Sequence, residues 1–282
     1  MKLLRHGAKG AEKPGMLDAQ GKIRDLSGVI DDIAGKVLSP QGLAMLKTLD
    51  PAALPEVPAG TRLGPCVGRI GQVIAVGLNS ADHAKETGAE PPREPVLFNK
   101  SVGAVCGPND DVIQPKGSTK LDWEVELTIV IGSRTQYVDE KRALDHVAGF
   151  CIMNDVSERA FQIESTGQWM KGKSHDTFAP LGPWLVTRDE IADPGKLDMF
   201  LDVNGVRRQK GSTRTMIFGV AHLVSYISRF LTLHPGDVIP TGTPPGVGLG
   251  LKPPQFLKPG DTMHLGIQGL GEQRQKVVPY QG

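Results

Sequence analysis

A β-rich α+β fold is what this sequence predicts, and three observations carry the prediction. The chain holds 35 glycines and 22 prolines, residues that break regular elements and mark turns. Short apolar or alternating runs recur along it, at 70–78, 121–131, 148–153, 236–241 and 260–267. The clearest helical period is at 216–231, where Ile217, Val220, Ala221, Val224, Ile227 and Phe230 recur three and four apart. Strands and helices do not alternate as βαβ units, so a doubly wound parallel sheet is not expected.

Taken in order, 2–5 and 16–25 read as short strands, with Asp18-Ala19-Gln20-Gly21 as a turn. Ser39-Pro40 opens a helix: a capping hydroxyl, then proline at the first helical position. Leu43, Leu46 and Leu49 give that helix one apolar stripe. Residues 50–65 contain four prolines and little periodicity, and read as a linker. The expected division is a small N-terminal α+β domain with its linker, 1–65, followed by one larger domain, 66–282. Within the latter, Asn204-Gly205 supplies the positive φ angles of a two-residue hairpin turn.

Composition excludes several classes. Formal net charge is +1 and no dense basic stretch occurs, so neither nucleic acid nor an anionic membrane is an expected partner. No apolar run approaches the ~20 residues of a spanning helix. The first residues lack the long apolar segment of a signal peptide. Cys66, Cys106 and Cys151 form no CxxC. They read as buried core thiols in a reducing compartment, the cytoplasm. There is no GxSxG elbow and no HExxH zinc helix. The glycine-rich run 242–250 is broken by Pro244 and Pro245 and lacks the following helix that a dinucleotide fingerprint requires.

The segment Leu121-Asp122-Trp123-Glu124-Val125-Glu126-Leu127 carries the chemistry. In a strand, side chains two apart face the same way, so Glu124 and Glu126 project together. Two adjacent carboxylates repel unless a cation lies between them, and hard divalent cations prefer such oxygen ligands. The same alternation also fits a half-exposed strand with a solvated glutamate face. Asp155, at the end of the apolar run Phe150–Met153, is a third acid on a rigid support, or a simple turn aspartate. Arg159 and Lys173, taken singly, are more often surface charges than catalytic groups. Trp169, Trp184 and Phe178 read as packing residues. His6, His146, His222, His234 and His264 show no partner pattern.

WEVELTIVIG (123–132), MNDVSERAFQ (153–162), KGKSHDTFAPLGPWLVT (171–187) and PTGTPPGVGLG (240–250) occur in that order. Upstream stand GLNSADHAKETG (77–88) and EPVLFNK (94–100). Together they resemble the fumarylacetoacetate hydrolase family over roughly 70–280, and the N-terminal unit resembles the small extra domain of two-domain bacterial members. The resemblance implies a mixed β-roll around a pseudo-barrel as the catalytic domain, and a homodimer. It implies that Glu124, Glu126 and Asp155 bind Mg²⁺ or Mn²⁺, with Ca²⁺ a third candidate. It places Arg159 and Gln162 near substrate oxygens, Lys173 as the active-site lysine, and Thr243 against the substrate carboxylate. His83 and Glu86 match the His-x-x-Glu of a mobile lid, here 80–95. Two departures are Ser80, where many relatives have tyrosine, and His175, where an aromatic or glycine is commoner.

The reaction expected from this resemblance is hydrolysis of a C–C bond in a small 2,4-dioxo acid. An acylpyruvate or a diketo-deoxy sugar acid would be cleaved through a metal-bound enolate. Lys173 would supply positive charge or a proton, and His83, oriented by Glu86, would take the proton from water. The alternatives are a lyase of the ureidoglycolate type, an oxaloacetate decarboxylase, an oxo-acid isomerase, and a non-catalytic oxo-acid-binding protein. The last has no need of a base.

Overall fold

The computed structural model describes residues 1–82, 90–164 and 166–282. It opens with a meander: β1 (Lys2–His6), β2 (Lys13–Leu17) and β3 (Ile23–Asp25). The turn between β2 and β3 lies where Asp18 predicts it. Asp18 Oδ1 accepts from the N–H groups of Gln20 and Lys22 at 2.9 and 2.8 Å. Ser39 caps helix α1 (Pro40–Lys47), its Oγ accepting from Gly42 N at 3.1 Å. The chain then supplies β4 (Val73–Gly77), β5 (Val96–Lys100), β6 (Val105–Cys106), β7 (Val112–Gln114), β8 (Leu121–Asp122) and β9 (Val125–Ile131). Helix α2 (Glu140–Ala143) precedes β10 (Val147–Asn154) and β11 (Ser157–Glu158). Two short helices, α3 (Arg159–Ile163) and α4 (Met170–Lys173), lead into β12 (Ala179–Thr187). The rest comprises β13 (Asp198–Val203), β14 (Val206–Ser212), α5 (Val220–Ile227), β15 (Val238–Pro240), β16 (Thr262–Ile267) and β17 (Gly271–Pro279).

The larger sheet runs β3-β2-β1-β12-β10-β9-β15-β4-β5, with β6 parallel to β12. The meander joins it through the antiparallel β1–β12 pair. Leu3, Met16 and Leu46 accordingly belong to the same buried apolar cluster as Ile129 and Val277. A second sheet runs β14-β13-β16-β17-β7, and β11 pairs with β8 alone. The β15–β4 and β17–β7 pairs are parallel and most others antiparallel, so the fold is the strand-rich, mixed one predicted. Among the described residues the two outer edges of the large sheet, β3 and β5, do not pair.

Every residue of β9 and β10 is buried, because β13 and β16 of the second sheet also pack on β9. The alternation at 121–131 therefore does not mark a half-exposed strand. The hairpin at Asn204-Gly205 forms as expected, with φ of 52° and 76°. The helix expected over 216–231 is shorter, spanning only α5. Met216 bridges Ser80 in extended backbone and Ile217 N donates to Asn79 O at 3.0 Å, which holds the preceding chain out of the helix until Gly219. Phe230, placed on the apolar stripe by its spacing, lies beyond the helix and is 59% exposed.

Candidate active site

Strand pairing assembles the acids. Met153 stands opposite Glu126 and Asn154 opposite Val125 in the β9–β10 register. One step further, Asp155 N donates to Glu124 O at 2.8 Å. Side chains two apart share a face, so this register puts Glu124, Glu126 and Asp155 on one side of the pair. One ligand oxygen from each lies within 4.8 Å of the others, and all three residues are buried. Asn154 holds the register open at this point, its Oδ1 accepting from Glu124 N at 3.1 Å.

Three cations answer these acids. Lys173 Nζ donates to Glu124 Oε2 at 2.9 Å and to Asp155 Oδ2 at 2.7 Å. Lys100 Nζ donates to Asp155 Oδ1 at 2.5 Å and to Val156 O at 3.2 Å. Arg159 donates to Glu124 Oε1 at 2.6 Å, to Asp122 Oδ2 at 2.8 Å and to Gln162 Oε1 at 3.0 Å. Burial opposes ionisation of Glu124, but Lys173 and then Arg159 outweigh it and hold the carboxyl well below the usual range. Burial likewise opposes charge on Lys173, and Asp155 and Glu124 more than reverse that. Lys100 is lowered by burial, against the pull of Asp155.

Glu126 is different. Its partner is a backbone group, Gly242 N, at 2.8 Å, and among the described residues it has no cation in hydrogen-bond contact. Burial, and then the charges of Asp155 and Glu124, push its carboxyl well above the usual range. A buried acid left short of positive charge beside two others, all with hard oxygen donors, fits a divalent cation.

Asp122 anchors the glycine-rich turn over this cluster. Its Oδ1 accepts from Trp123 N and Gly248 N at 2.8 and 2.6 Å, and its Oδ2 from Leu249 N at 3.0 Å. Thr243 in that turn donates to Val125 O at 3.0 Å and accepts from Gln209 Nε2 at 2.8 Å. The turn, β4, β5, α3 and α4 enclose a cavity of about 290 Å³ whose floor is Glu124, Glu126, Lys173 and Arg159. Gln162 and Thr243 line it too.

His83 and Glu86 lie outside the described residues, as do residues 83–89 of the 80–95 segment assigned to a lid. Ser80 bridges Met216, and His175 packs between Phe161 and Phe178, 5.6 and 5.4 Å from their ring centroids. Neither departure residue lines the cavity, and neither do His6, His146, His222, His234 or His264. All three cysteines are free and buried. Trp169, read as a packing residue, does pack on Phe98, but it also lines the cavity. Sequence reasoning missed Lys100 and Asp122. Asp122 was visible as the first of three acids at i, i+2 and i+4 in a single run. Lys100 ends EPVLFNK, and its signal was a charged residue closing an apolar strand.

Residues 72–278 match the family model described as the fumarylacetoacetate (FAA) hydrolase C-terminal domain. The chain belongs to the fumarylacetoacetate hydrolase family. A provisionally named hydrolase of Burkholderia cenocepacia (strain HI2424) is 61% identical over 278 residues, 98% of this chain and 99% of that one. Among solved structures, fumarylacetoacetate hydrolase from Exiguobacterium antarcticum is 36% identical, with a TM-score of 0.89 over 99% of this chain and 100% of that one. Maleylpyruvate hydrolase from Sphingobium sp. SYK-6, solved with manganese(II) and pyruvate, is 28% identical, with a TM-score of 0.83 over the whole of both chains. Mycobacterial family structures named as isomerases are also similar. The family resemblance drawn from the sequence motifs therefore holds, and with it the fold.

Proposed function

We propose that the chain is a divalent-cation-dependent hydrolase that cleaves a C–C bond of a small 2,4-dioxo acid. The observation that carries this reading is the buried Glu124–Glu126–Asp155 cluster, flanked by Lys173 and Arg159, of which Glu124 and Glu126 line the cavity. Glu124, Glu126 and Asp155 would hold Mn²⁺, Mg²⁺ or Ca²⁺. When bound, the cation draws electron density from a 2-oxo carboxylate and favours release of an electron pair at C3.

The remaining work falls to the chain's own groups. Asp122, Glu124 and Asp155 pair with the three cations Lys100, Lys173 and Arg159, and Glu126 pairs with none of these. A divalent ion would bring positive charge beside Glu126 and suit an anionic substrate. Among the described residues Gln162 Nε2 has no acceptor, and Gln162, which lines the cavity, would meet a substrate oxygen. Thr243 has its one hydrogen committed to Val125 O, so it meets a substrate carboxylate by exchanging that bond. His83, with Glu86 as its partner in the His-x-x-Glu pattern, would take a proton from the water that adds to C4. The C3–C4 bond then breaks with its electron pair on C3, and Lys173 delivers the proton that completes the 2-oxo acid product. The other product is a carboxylic acid. A homodimer belongs to the same reading, and light scattering at micromolar concentration checks it.

The test is a screen of purified, Mn²⁺-loaded protein against acylpyruvates, oxaloacetate, an unsaturated oxo acid and ureidoglycolate. Release of a 2-oxo acid from the acylpyruvates supports the proposal. Turnover confined to one of the other compounds would overturn it in favour of a decarboxylase, isomerase or lyase. Binding without turnover of any would make the protein a binding module.

A further inference from the structure

The cavity has two chemically separate ends. Its floor is buried and charged, whereas Leu78, Phe98, Ile163, Trp169, Val247 and Leu249 form an apolar wall. Ile163 and Leu249 are 46% and 38% exposed, large apolar side chains left at the mouth of the cavity. Phe98 and Trp169 meet edge to face at 5.3 Å, and Phe98 also stacks on Lys173, whose Nζ lies 5.1 Å from the ring centroid. The aromatic pair therefore begins at the reacting end and continues toward the mouth. The backbone makes room for it: a Cβ on Gly77 would come within 2.5 Å of Trp169 Cζ3. Among the described residues this wall carries no cation and no side-chain hydroxyl or carboxylate. A hydroxylated tail would exchange water for apolar carbon there, and a second carboxylate would lose its hydration without a partner.

We propose that this wall selects 2-oxo acids with an apolar tail, so that the substrate is an alkanoyl- or aroylpyruvate and not a polyhydroxylated or dicarboxylic dioxo acid. The inference rests on the functional reading above and narrows it. An apolar tail would cover Trp169, Ile163 and Leu249 and remove both its own surface and theirs from water, which is the source of the preference.

The test is calorimetric, so that it does not depend on turnover. Mn²⁺-loaded protein is titrated with pyruvate and with straight-chain 2-oxo monocarboxylic acids of increasing length. Further arms use equal-length acids bearing hydroxyls or a terminal carboxylate. The expected result is a Kd that falls about fourfold per added methylene until the cavity is filled. The hydroxylated and dicarboxylic compounds should bind at least about tenfold more weakly than the alkyl acid of their length. The double variant Ile163→Gln/Leu249→Gln, both at partly exposed positions, should flatten the length dependence. Gly77→Ala, which displaces Trp169 without removing it, should flatten it as well. A flat series in the wild type, with pyruvate bound, would overturn tail selection alone. So would tighter binding of the hydroxylated or dicarboxylic acids, or an unchanged slope in both variants. Failure of every 2-oxo acid to bind, pyruvate included, would remove the functional reading and this inference together.

Discussion

Replacing Lys100 with methionine tests how the buried charges are balanced. Lys100 is 2% exposed, and its ammonium group gives Asp155 Oδ1 a partner while Lys173 serves Oδ2. Methionine fills a similar volume without charge. The variant leaves only Lys173 and Arg159 as cations among the buried carboxylates, and Asp155 keeps one of its two ion pairs. Removing one partner of a buried pair costs about 3–5 kcal/mol, part of which the apolar thioether offsets, so about 3 kcal/mol is expected. Unfolding entropy of about 2 cal/mol/K per residue over this length converts that to a melting temperature lower by roughly 5 °C. Differential scanning fluorimetry in EDTA measures it. Saturating Mn²⁺ should narrow the gap, because a bound cation stabilises the native state in proportion to RT ln(1 + [L]/Kd) and supplies the missing positive charge. A variant that melts within a degree of the wild type in EDTA would refute the argument. So would a gap that widens with Mn²⁺.

Three further outcomes are expected. Lys173→Met should lower kcat for an acylpyruvate about a hundredfold or more, while Mn²⁺ affinity by calorimetry holds or tightens, since a competing cation on Glu124 and Asp155 is gone; unchanged kcat would make Lys173 a bystander. His83→Ala should abolish hydrolysis yet bind pyruvate within about tenfold of the wild type, and wild-type turnover would remove His83 as the base. Cys66, Cys106 and Cys151 should give no reaction with a thiol reagent in the native protein at pH 8. All three are buried, and burial pushes the Cys106 thiol up to about 12, so it carries its proton there and becomes a thiolate only well above that pH. Denaturation should release three thiols, and rapid labelling of the native protein would contradict the packing.

The acids were legible because their chemistry is local. Glu124 and Glu126 two apart, and Asp155 closing an apolar run, are patterns that strand geometry turns directly into a shared face. The caps and turns at Asp18, Ser39 and Asn204 were legible for the same reason. What the sequence could not show was which faces are covered twice. β9 alternates like a half-exposed strand, yet the second sheet covers it, and that burial is what gives Glu126 its need for a cation. Lys100 and Trp169 reach the site from segments far apart in sequence, through the β4–β5 pairing and helix α4; the local signal for Lys100 was only a charge closing an apolar strand, which does not say where that charge goes. The helix at 216–231 was overextended because periodicity cannot register that the chain before Gly219 is held by Asn79 and Ser80.

The proposed hydrolysis of a dioxo acid requires a cation held by Glu124, Glu126 and Asp155. The most direct measurement is acylpyruvate turnover by EDTA-stripped protein, titrated with Mn²⁺. Turnover should rise from background and saturate at one ion per chain. Full turnover by the stripped protein before any Mn²⁺ is added would contradict it.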